Sequence, residues 1–511
     1  MGGFTDRLRS VPVALYGVVV LAAGLRLYSL GRESYWLDEI ASLNLVAGRT
    51  LPEVLIQVPT VDRHPPLYYA LLKGWIDLFG TGEVITRLPA VVFGVAAVVV
   101  IYGVGARLYD RQVGLLSATL LAVARFHINH SQATRMYSLF ALLTLLSFYL
   151  LVRVVEQPTR RTVAGYALVT VLLLYTHAFA LFVVLAQNVF VVGSRWLDDE
   201  GPAVPFRTWL ASQAVVGLAA LPWVAVLLGQ ALSSGGPTGL SWIPEPTVAS
   251  VLLTFGGYVD PWNPIIGSLA LLLVGGFVAA DYAIERVDAD GDTAGGEAER
   301  APAADGSGLG TRGRTALLGC WIGVVVFVPV VISYVLTPIY VARYTIGAAM
   351  GAYVLLAALI RLVGSVEMRY IVGGVLVVAF LLPLPVYYTQ DQHAQWDEVS
   401  EAVGTNAAAG DVILISQPSY ANPFEHYVSR EDVSVKPLPA SASTTEIRAA
   451  VRGHDTVWLV TTQLPPDAVQ RYRATLEANR SDTGVTEFRG LTLWRFDPGN
   501  SSRANETDIR T

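Results

Sequence analysis

Four short polar groups, each beside a long apolar run, carry the chemistry this sequence can offer. The first is Tyr35-Trp36-Leu37-Asp38-Glu39. A carboxylate held near an interface by an aromatic anchor is partly desolvated, and so placed it can serve as a general base toward a hydroxyl. The same residues also fit a plainer reading, a loop acid with Asp38 as N-cap of a helix from Glu39 to Val46. The second group is Arg63-His64-Pro65-Pro66-Leu67-Tyr68-Tyr69. Its prolines suit a helix start, which sets His64 at a helix N-terminus with Tyr68 and Tyr69 one turn on; an interfacial aromatic belt with a chance histidine reads equally well. The third, His127 to Tyr137, contains Gln132 and Arg135 and is dense in hydrogen-bonding groups. His127 and His130 have the i, i+3 spacing of two metal ligands on one helix face, but no third ligand accompanies them. The fourth is Thr337-Pro338-Ile339-Tyr340-Val341-Ala342-Arg343-Tyr344. His177, in Tyr175-Thr176-His177-Ala178-Phe179, sits in a tight turn and reads more readily as packing than as catalysis.

The elements that must position these groups are membrane helices. Of the 511 residues, 53% are apolar and 15% charged, against about 25% charged in a soluble domain, and the mean hydropathy is +0.49. Apolar runs recur near 11–30, 88–106, 113–128, 136–153, 162–177, 179–195, 207–228, 263–283, 315–336, 344–361 and 370–388. Each is about long enough to cross a hydrocarbon core of roughly 30 Å at about 1.5 Å per residue. The fold class expected is a polytopic α-helical membrane protein of about eleven spans. No cleavable signal peptide is expected, because 11–30 is long enough to span and lacks a small-residue cleavage site.

Arginine placement orients the chain, since short loops rich in Lys and Arg stay cytoplasmic. Arg7 and Arg9 put the N-terminus inside. The turns bearing Arg107 and Arg111; Arg153, Arg160 and Arg161; Arg195 and Arg207; Arg286, Arg300, Arg312 and Arg314; and Arg361 and Arg369 then also fall inside. The count works only if 65–80, apolar on one face and carrying Lys73 and Asp77, lies along the membrane surface within a first outer loop of 31–87. An acid- and Gly-rich stretch at 286–313 reads as a cytoplasmic linker. The spans form a domain of 1–388. After Thr389 the composition turns soluble, with strands at 411–416 and 455–461, helices at 396–408, 445–452 and 465–479, and a hairpin from Val485 to Phe496 turning at Arg489-Gly490. This predicts a small α/β domain at 389–511 on the extracytoplasmic side, where sequons at Asn479, Asn500 and Asn505 would be at home.

A net charge of −6 leaves no footprint for nucleic acid. Only Lys73 and Lys436 are lysines, an arginine bias that fits a salt-adapted prokaryote of haloarchaeal type, and the lone Cys320 permits no intrachain disulfide. On the outer side Arg135 and Arg343 break the positive-inside pattern. An anionic group would account for them; for Arg343 a lipid head group would also suffice. Together the outer groups offer a base, cations and an aromatic floor at the bilayer surface. The chemistry they suit is attack by a hydroxyl on a substrate whose leaving group is a lipid phosphate.

In order, Trp36-Leu37-Asp38-Glu39, His64-Pro65-Pro66-Leu67-Tyr68-Tyr69, Arg87-Leu88-Pro89-Ala90, Ser131-Gln132-Ala133-Thr134-Arg135-Met136-Tyr137, Tyr175-Thr176-His177 and Arg343-Tyr344 resemble the glycosyltransferase family 39 type of GT-C membrane enzymes. That family is related to protein O-mannosyltransferases and to the transferase that adds aminoarabinose to lipid A. The resemblance runs from about 10 to 430 and takes in Gln395-Trp396-Asp397-Glu398. It implies an inverting sugar transferase with a polyprenyl- or dolichyl-phosphate donor and a glycan, protein or lipid acceptor. Asp38 falls on the family's base, Glu39 on its neighbour, His64 on the basic residue of the Lys/His-Pro-Pro motif and Arg343 on the phosphate-facing arginine. Tyr68, Tyr69, Gln132, Arg135, Tyr137, His177 and Tyr344 would contact substrate. Where relatives carry Glu in the Ser-Gln-Glu-Ala-Arg-Met-Tyr stretch, this chain has Ala133, which leaves any second carboxylate's role to Glu39 or to a substrate contact. No cofactor is expected, and no metal, although Asp38 and Glu39 would form a weak divalent site. The rival expectation is a transporter or lipid flippase, but such folds carry polar residues at midplane and repeated halves, and this sequence shows neither.

Overall fold

The computed structural model describes residues 12–61, 64–197, 204–232, 242–292, 309–428, 430 and 432–499. Arg7, Arg9, Arg63, the centre of the linker with Arg300, and the sequons at Asn500 and Asn505 lie outside the described residues.

The chain divides into two compact units, one made of Met1–Tyr28 and Leu45–Val386, the other of Ser29–Asn44 and Tyr387–Thr511. The first is helical, with a helix at each of the eleven expected positions. Seven are long and apolar enough to cross a membrane among the described residues: Glu83–Leu108, Tyr137–Glu156, Phe206–Gln230, Pro264–Asp281, Thr311–Val335, Ala342–Leu362 and Val366–Thr389. Val13–Leu27, Arg111–Val123 and Ala180–Arg195 are apolar but shorter, and so is Val248–Gly257, a helix the sequence reading did not anticipate. The segment read as lying on the surface contains the helix Leu67–Phe79, at 13 residues too short to span.

Breaks between helices follow local rules. The Asp110 carboxylate accepts from the Val113 N–H and starts Arg111–Val123 directly after Glu83–Leu108 ends. A capping box at Thr159 and Thr162 opens Arg160–Leu174, and one at Thr247 and Ser250 opens Val248–Gly257. Glu83–Leu108 and Arg111–Val123 pack backbone to backbone: a Cβ on Gly105 would lie 2.9 Å from the Gly114 Cα, and one on Gly114 2.6 Å from the Tyr102 carbonyl oxygen. Small residues permit this approach, which in lipid replaces the missing hydrophobic drive between helices. Tyr137–Glu156 lies at the centre of the unit, 72% of its apolar window buried, whereas Pro264–Asp281 is peripheral at 17%. Polar side chains knit the central helices, with Tyr166 Oη donating to Gln187 Oε1 (2.7 Å) and Gln187 Nε2 to Ser147 Oγ (2.8 Å).

The second unit holds a five-stranded sheet in the order β2-β1-β3-β5-β4, with β1 Val412–Ser416, β2 Ser434–Leu438, β3 Val457–Thr461, β4 Arg480–Phe488 and β5 Leu491–Pro498. β1 is parallel to β2 and β3, while β5 is antiparallel to both β3 and β4. Strands β1 and β3 are apolar up to their last residues, Ser416 and Thr461, because both faces are covered. Ile413, Ile415, Trp458 and Val460 pack with Trp396, Val399 and Phe424, whereas Val412, Leu414, Val457 and Leu459 pack with Ile447, Tyr472 and Leu476. The expected helices and hairpin are present as Trp396–Asn406, Thr444–Ala450, Pro466–Glu477 and β4–β5. The sequence reading missed β2, whose Lys436 and Pro437 are what an edge strand tolerates and a central one does not.

Candidate active site

In the helical unit three of the four polar groups converge at one end of the helices. The organiser is Arg26, a buried cation inside Val13–Leu27. Its guanidinium donates to the Leu121 and Ala122 carbonyls (3.0 Å each) at the C-terminal, electronegative end of Arg111–Val123, to its own helix at Ala22 O, to His127 Nδ1 (2.9 Å) and to Ser131 Oγ (3.3 Å). A planar fork of donors suits this arrangement better than an ammonium. Gly94 leaves room for the knot, since a Cβ there would fall 2.3 Å from Ser131 Oγ and 3.1 Å from Arg26 Nε. Gln132 Nε2 closes the end of the first helix by donating to Arg26 O (3.0 Å) and Tyr28 O (2.8 Å). Ser138 Oγ donates to His130 O, and Thr134 Oγ1 to Thr86 Oγ1. These bonds fix the short helix Arg125–Ser131 and the loop after it, and so set where Arg135 and Tyr137, both buried, are presented. Arg26→Lys is therefore expected to leave carbonyls unsatisfied and to destabilise the protein by on the order of 2 kcal/mol, measured as a lowered Tm in detergent.

The rings meet beyond this loop. The His130 centroid is 4.7 Å from Tyr137, Tyr137 is 5.8 Å from His177, and His177 is 5.2 Å from both His64 and Tyr344. His64 lies 6.3 Å from Tyr344. The Arg343 guanidinium stands over Tyr344 at 5.4 Å and over Trp242 at 5.2 Å, within the range of cation–π attraction. Leu67 N–H donates to Tyr175 O (3.0 Å), tying the helix after His64 to the turn holding His177. The rings of Tyr68 and Tyr69, fully buried, meet edge to face at 5.9 Å. The structure thus groups His64, Tyr137, His177, Arg343 and Tyr344, with Gln132 and Arg135 on the loop that supports them. His177, read as packing, is the hub of the ring cluster, and its Nδ1 accepts from Phe179 N–H (3.1 Å).

Asp38 and Glu39 belong to the second unit. Their helix is Leu37–Val46, so Asp38 lies in its first turn and is not its N-cap. Glu39 reaches back instead: Oε2 accepts from the Trp36 N–H (3.3 Å), half of a capping box, and the side chain is buried. Asp38 is half-buried, and Ser42 Oγ donates to its backbone carbonyl (2.9 Å). The segment is pinned along its length. Tyr35 N–H donates to Tyr427 Oη (2.7 Å), Ser34 Oγ donates to Ala394 O (2.9 Å) and accepts from Trp396 N–H (3.2 Å), and Trp36 stacks on His393 at 5.5 Å. Burial holds His426, edge-on to Tyr35, below the usual histidine range.

Sequence reading passed over two buried ionic features of the helical unit. Arg26 is an arginine within a span, which is a signal in itself. Arg125 pairs with Asp260 at 2.9 Å with both side chains buried (2% and 7% exposed), and Asp260 also accepts from Trp262 N–H (3.1 Å). Among the described residues no three His, Cys, Asp or Glu side chains gather as metal ligands would.

Residues 63–223, less than a third of the chain, match the family described as dolichyl-phosphate-mannose-protein mannosyltransferase. That stretch contains His64, Tyr68, Tyr69, Gln132, Arg135, Tyr137 and His177. By structure the chain is similar to ArnT from Cupriavidus metallidurans, over 94% of this chain and 97% of the other. The TM-score is 0.56 at 11% identity for the apo state, and 0.55 at 10% identity for the form bound to undecaprenyl phosphate. It is also similar to the Archaeoglobus fulgidus oligosaccharyltransferase in complex with Zn and sulfate, over 94% of this chain and 72% of the other, with a TM-score of 0.50 at 11% identity. No protein of curated function matches the sequence. The fold is the GT-C type expected from the sequence: a helical membrane protein with a small C-terminal sheet domain.

Proposed function

We propose that this protein is a glycosyltransferase that moves a sugar from a polyprenyl- or dolichyl-phosphate carrier to a hydroxyl acceptor on the extracytoplasmic face of the cell membrane. In this reading its N-terminus is cytoplasmic and the second unit extracytoplasmic. The observation that carries the proposal is the gathering of His64, Tyr137, His177, Arg343 and Tyr344 at one end of the helices. Cations and hydrogen-bond donors at the end of an apolar bundle suit the head of a lipid phosphate. The fold shared with a protein crystallised with undecaprenyl phosphate, and the mannosyltransferase family match over 63–223, support the same reading.

The reaction balances without a further reactant. The acceptor oxygen attacks the anomeric carbon, the carbon–oxygen bond to phosphate breaks, the configuration inverts, and Asp38 takes the hydroxyl proton. The lipid phosphate leaves as an anion stable at neutral pH, so no general acid is needed. Arg343, with Arg135 or His64, stabilises the charge that develops there. Glu39, engaged in the helix cap, acts by holding the first turn that carries Asp38.

The test gives membranes a radiolabelled polyprenyl-phosphate sugar and follows the label into lipid, glycan and protein fractions, which also identifies the acceptor class. No transfer by wild type with every acceptor class present would favour a transporter or flippase. Arg343→Gln is expected to lower kcat by about 10²-fold, or roughly 3 kcal/mol, with a smaller change in KM for the acceptor. Cysteines placed on the segment Trp36 to Tyr69 and labelled from either side of the membrane test the orientation.

A further inference from the structure

We propose that the carboxyl edge of the parallel strands in the second unit is a binding site for a neutral, polyhydroxylated carbohydrate. Taking that carbohydrate as the acceptor rests on the transferase reading; the binding itself does not.

The strand order places β2 and β3 on opposite sides of β1, so the connections leaving β1 and β3 diverge at their carboxyl ends. In open α/β sheets such a switch point leaves a crevice into which ligands fit. Each connection carries a glutamine at positive φ in its first two residues, Gln417 directly after β1 at φ 103° and Gln463 two residues after β3 at φ 48°. Non-glycine residues persist there only when the surroundings hold them, and such strain gathers at ligand sites. The hold is visible: Gln417 N–H donates to Leu438 O at the end of β2 (2.7 Å), Thr462 N–H to Ser416 Oγ (3.3 Å), and Thr462 Oγ1 to Gly490 O (2.9 Å). Tyr420 completes the group, its hydroxyl donating to Gln463 Oε1 (3.1 Å) and its ring stacked on buried Trp396 at 5.6 Å. Gln463 is exposed, and Gln417 and Tyr420 are half-buried.

The Gln463 amide and the Tyr420 phenol supply donors and acceptors together, as sugar hydroxyls require. A tyrosine ring backed by tryptophan offers a rigid flat surface for the C–H face of a pyranose. The same edge holds Ser34 through Ala394 and Trp396, and so adjoins the segment that carries Asp38. The Asp38 charge reaches the phenol: burial chiefly, and Asp38 secondarily, raise the Tyr420 pKa above the tyrosine norm. That negative charge works against an anionic ligand and favours a neutral one.

The experiment uses the full chain in detergent and follows tryptophan fluorescence and saturation-transfer NMR. The probes are the neutral hexasaccharides of mannan, cellulose and starch, the anionic hexamer of polygalacturonate, and a Ser/Thr-rich decapeptide. At least one neutral hexasaccharide is expected to bind, about tenfold more weakly to Gln463→Ala at unchanged Tm, and about tenfold more weakly to Tyr420→Ala, with Tyr420→Phe, which keeps the ring on Trp396, less weakened and at unchanged Tm. In transfer assays the same variants should raise KM for the acceptor and leave KM for the donor. The proposal is overturned if no neutral hexasaccharide binds, if the variants bind like wild type, or if the anionic hexamer or the peptide binds more tightly. Binding lost in the variants without any transfer by wild type would uphold the site and remove only its role as acceptor site.

Discussion

Asp38→Asn is expected to lower kcat by about 10²- to 10⁴-fold while leaving Tm near that of wild type. The amide has the carboxylate's shape but cannot take a proton, and the Asp38 side chain, unlike that of Glu39, is not what caps its helix. Glu39→Gln is the matched control: its amide oxygen still accepts from the Trp36 N–H, so the first turn stays formed and the loss should stay within about tenfold. Turnover of the radiolabelled donor, measured for both variants alongside thermal unfolding, separates base from cap. Unchanged turnover by Asp38→Asn would remove Asp38 from the mechanism, and a larger loss in Glu39→Gln would move the base by one residue.

The second large effect concerns stability. Arg125→Leu is expected to destabilise the helical unit by about 3–5 kcal/mol, because it leaves the Asp260 carboxylate buried without its guanidinium. The double variant Arg125→Leu/Asp260→Leu should recover most of that loss, since replacing a buried pair by apolar side chains is often close to neutral. Thermal or denaturant unfolding of the detergent-solubilised protein reads both. A double variant no better than the single one would show that the pair acts through Trp262, whose N–H Asp260 accepts and whose ring lies 5.8 Å from the Arg125 guanidinium.

The helical unit was legible in the sequence because lipid demands long apolar stretches, and the α/β unit because a strand covered on both faces is a continuous apolar run, as in Val412 to Ile415. The ring cluster was legible only as pieces. His64, Tyr137, His177 and Tyr344 are far apart in the chain, and what joins them is set by packing that no short window encodes. The capping role of Glu39 was hidden for a different reason: Asp38 and Glu39 are both good first-turn acids, and which of them reaches back depends on a helix start displaced by two residues from the one expected. The role of Arg26 was not legible because three of its partners are backbone carbonyls, which any sequence supplies, and two others, His127 and Ser131, lie about a hundred residues away. Residues 29–44 carried no periodicity to assign them to the second unit, since what joins them to it is scattered: Ser34 bonds Ala394, Tyr35 bonds Tyr427, Trp36 stacks on His393, and a small apolar cluster of Tyr35, Ile40 and Leu43 packs with Tyr427.

That last feature bears on how the chain is made. Ser34 precedes Ala394 by 360 residues, so at roughly 5–20 residues per second the ribosome releases the segment bearing Asp38 some 20 to 70 seconds before its packing partners exist. The proposed proton acceptor is thus made well before the residues that hold its segment in place. On the proposed reading, a stop codon ahead of Ala394 leaves the helical unit with the segment that carries Asp38 unsupported.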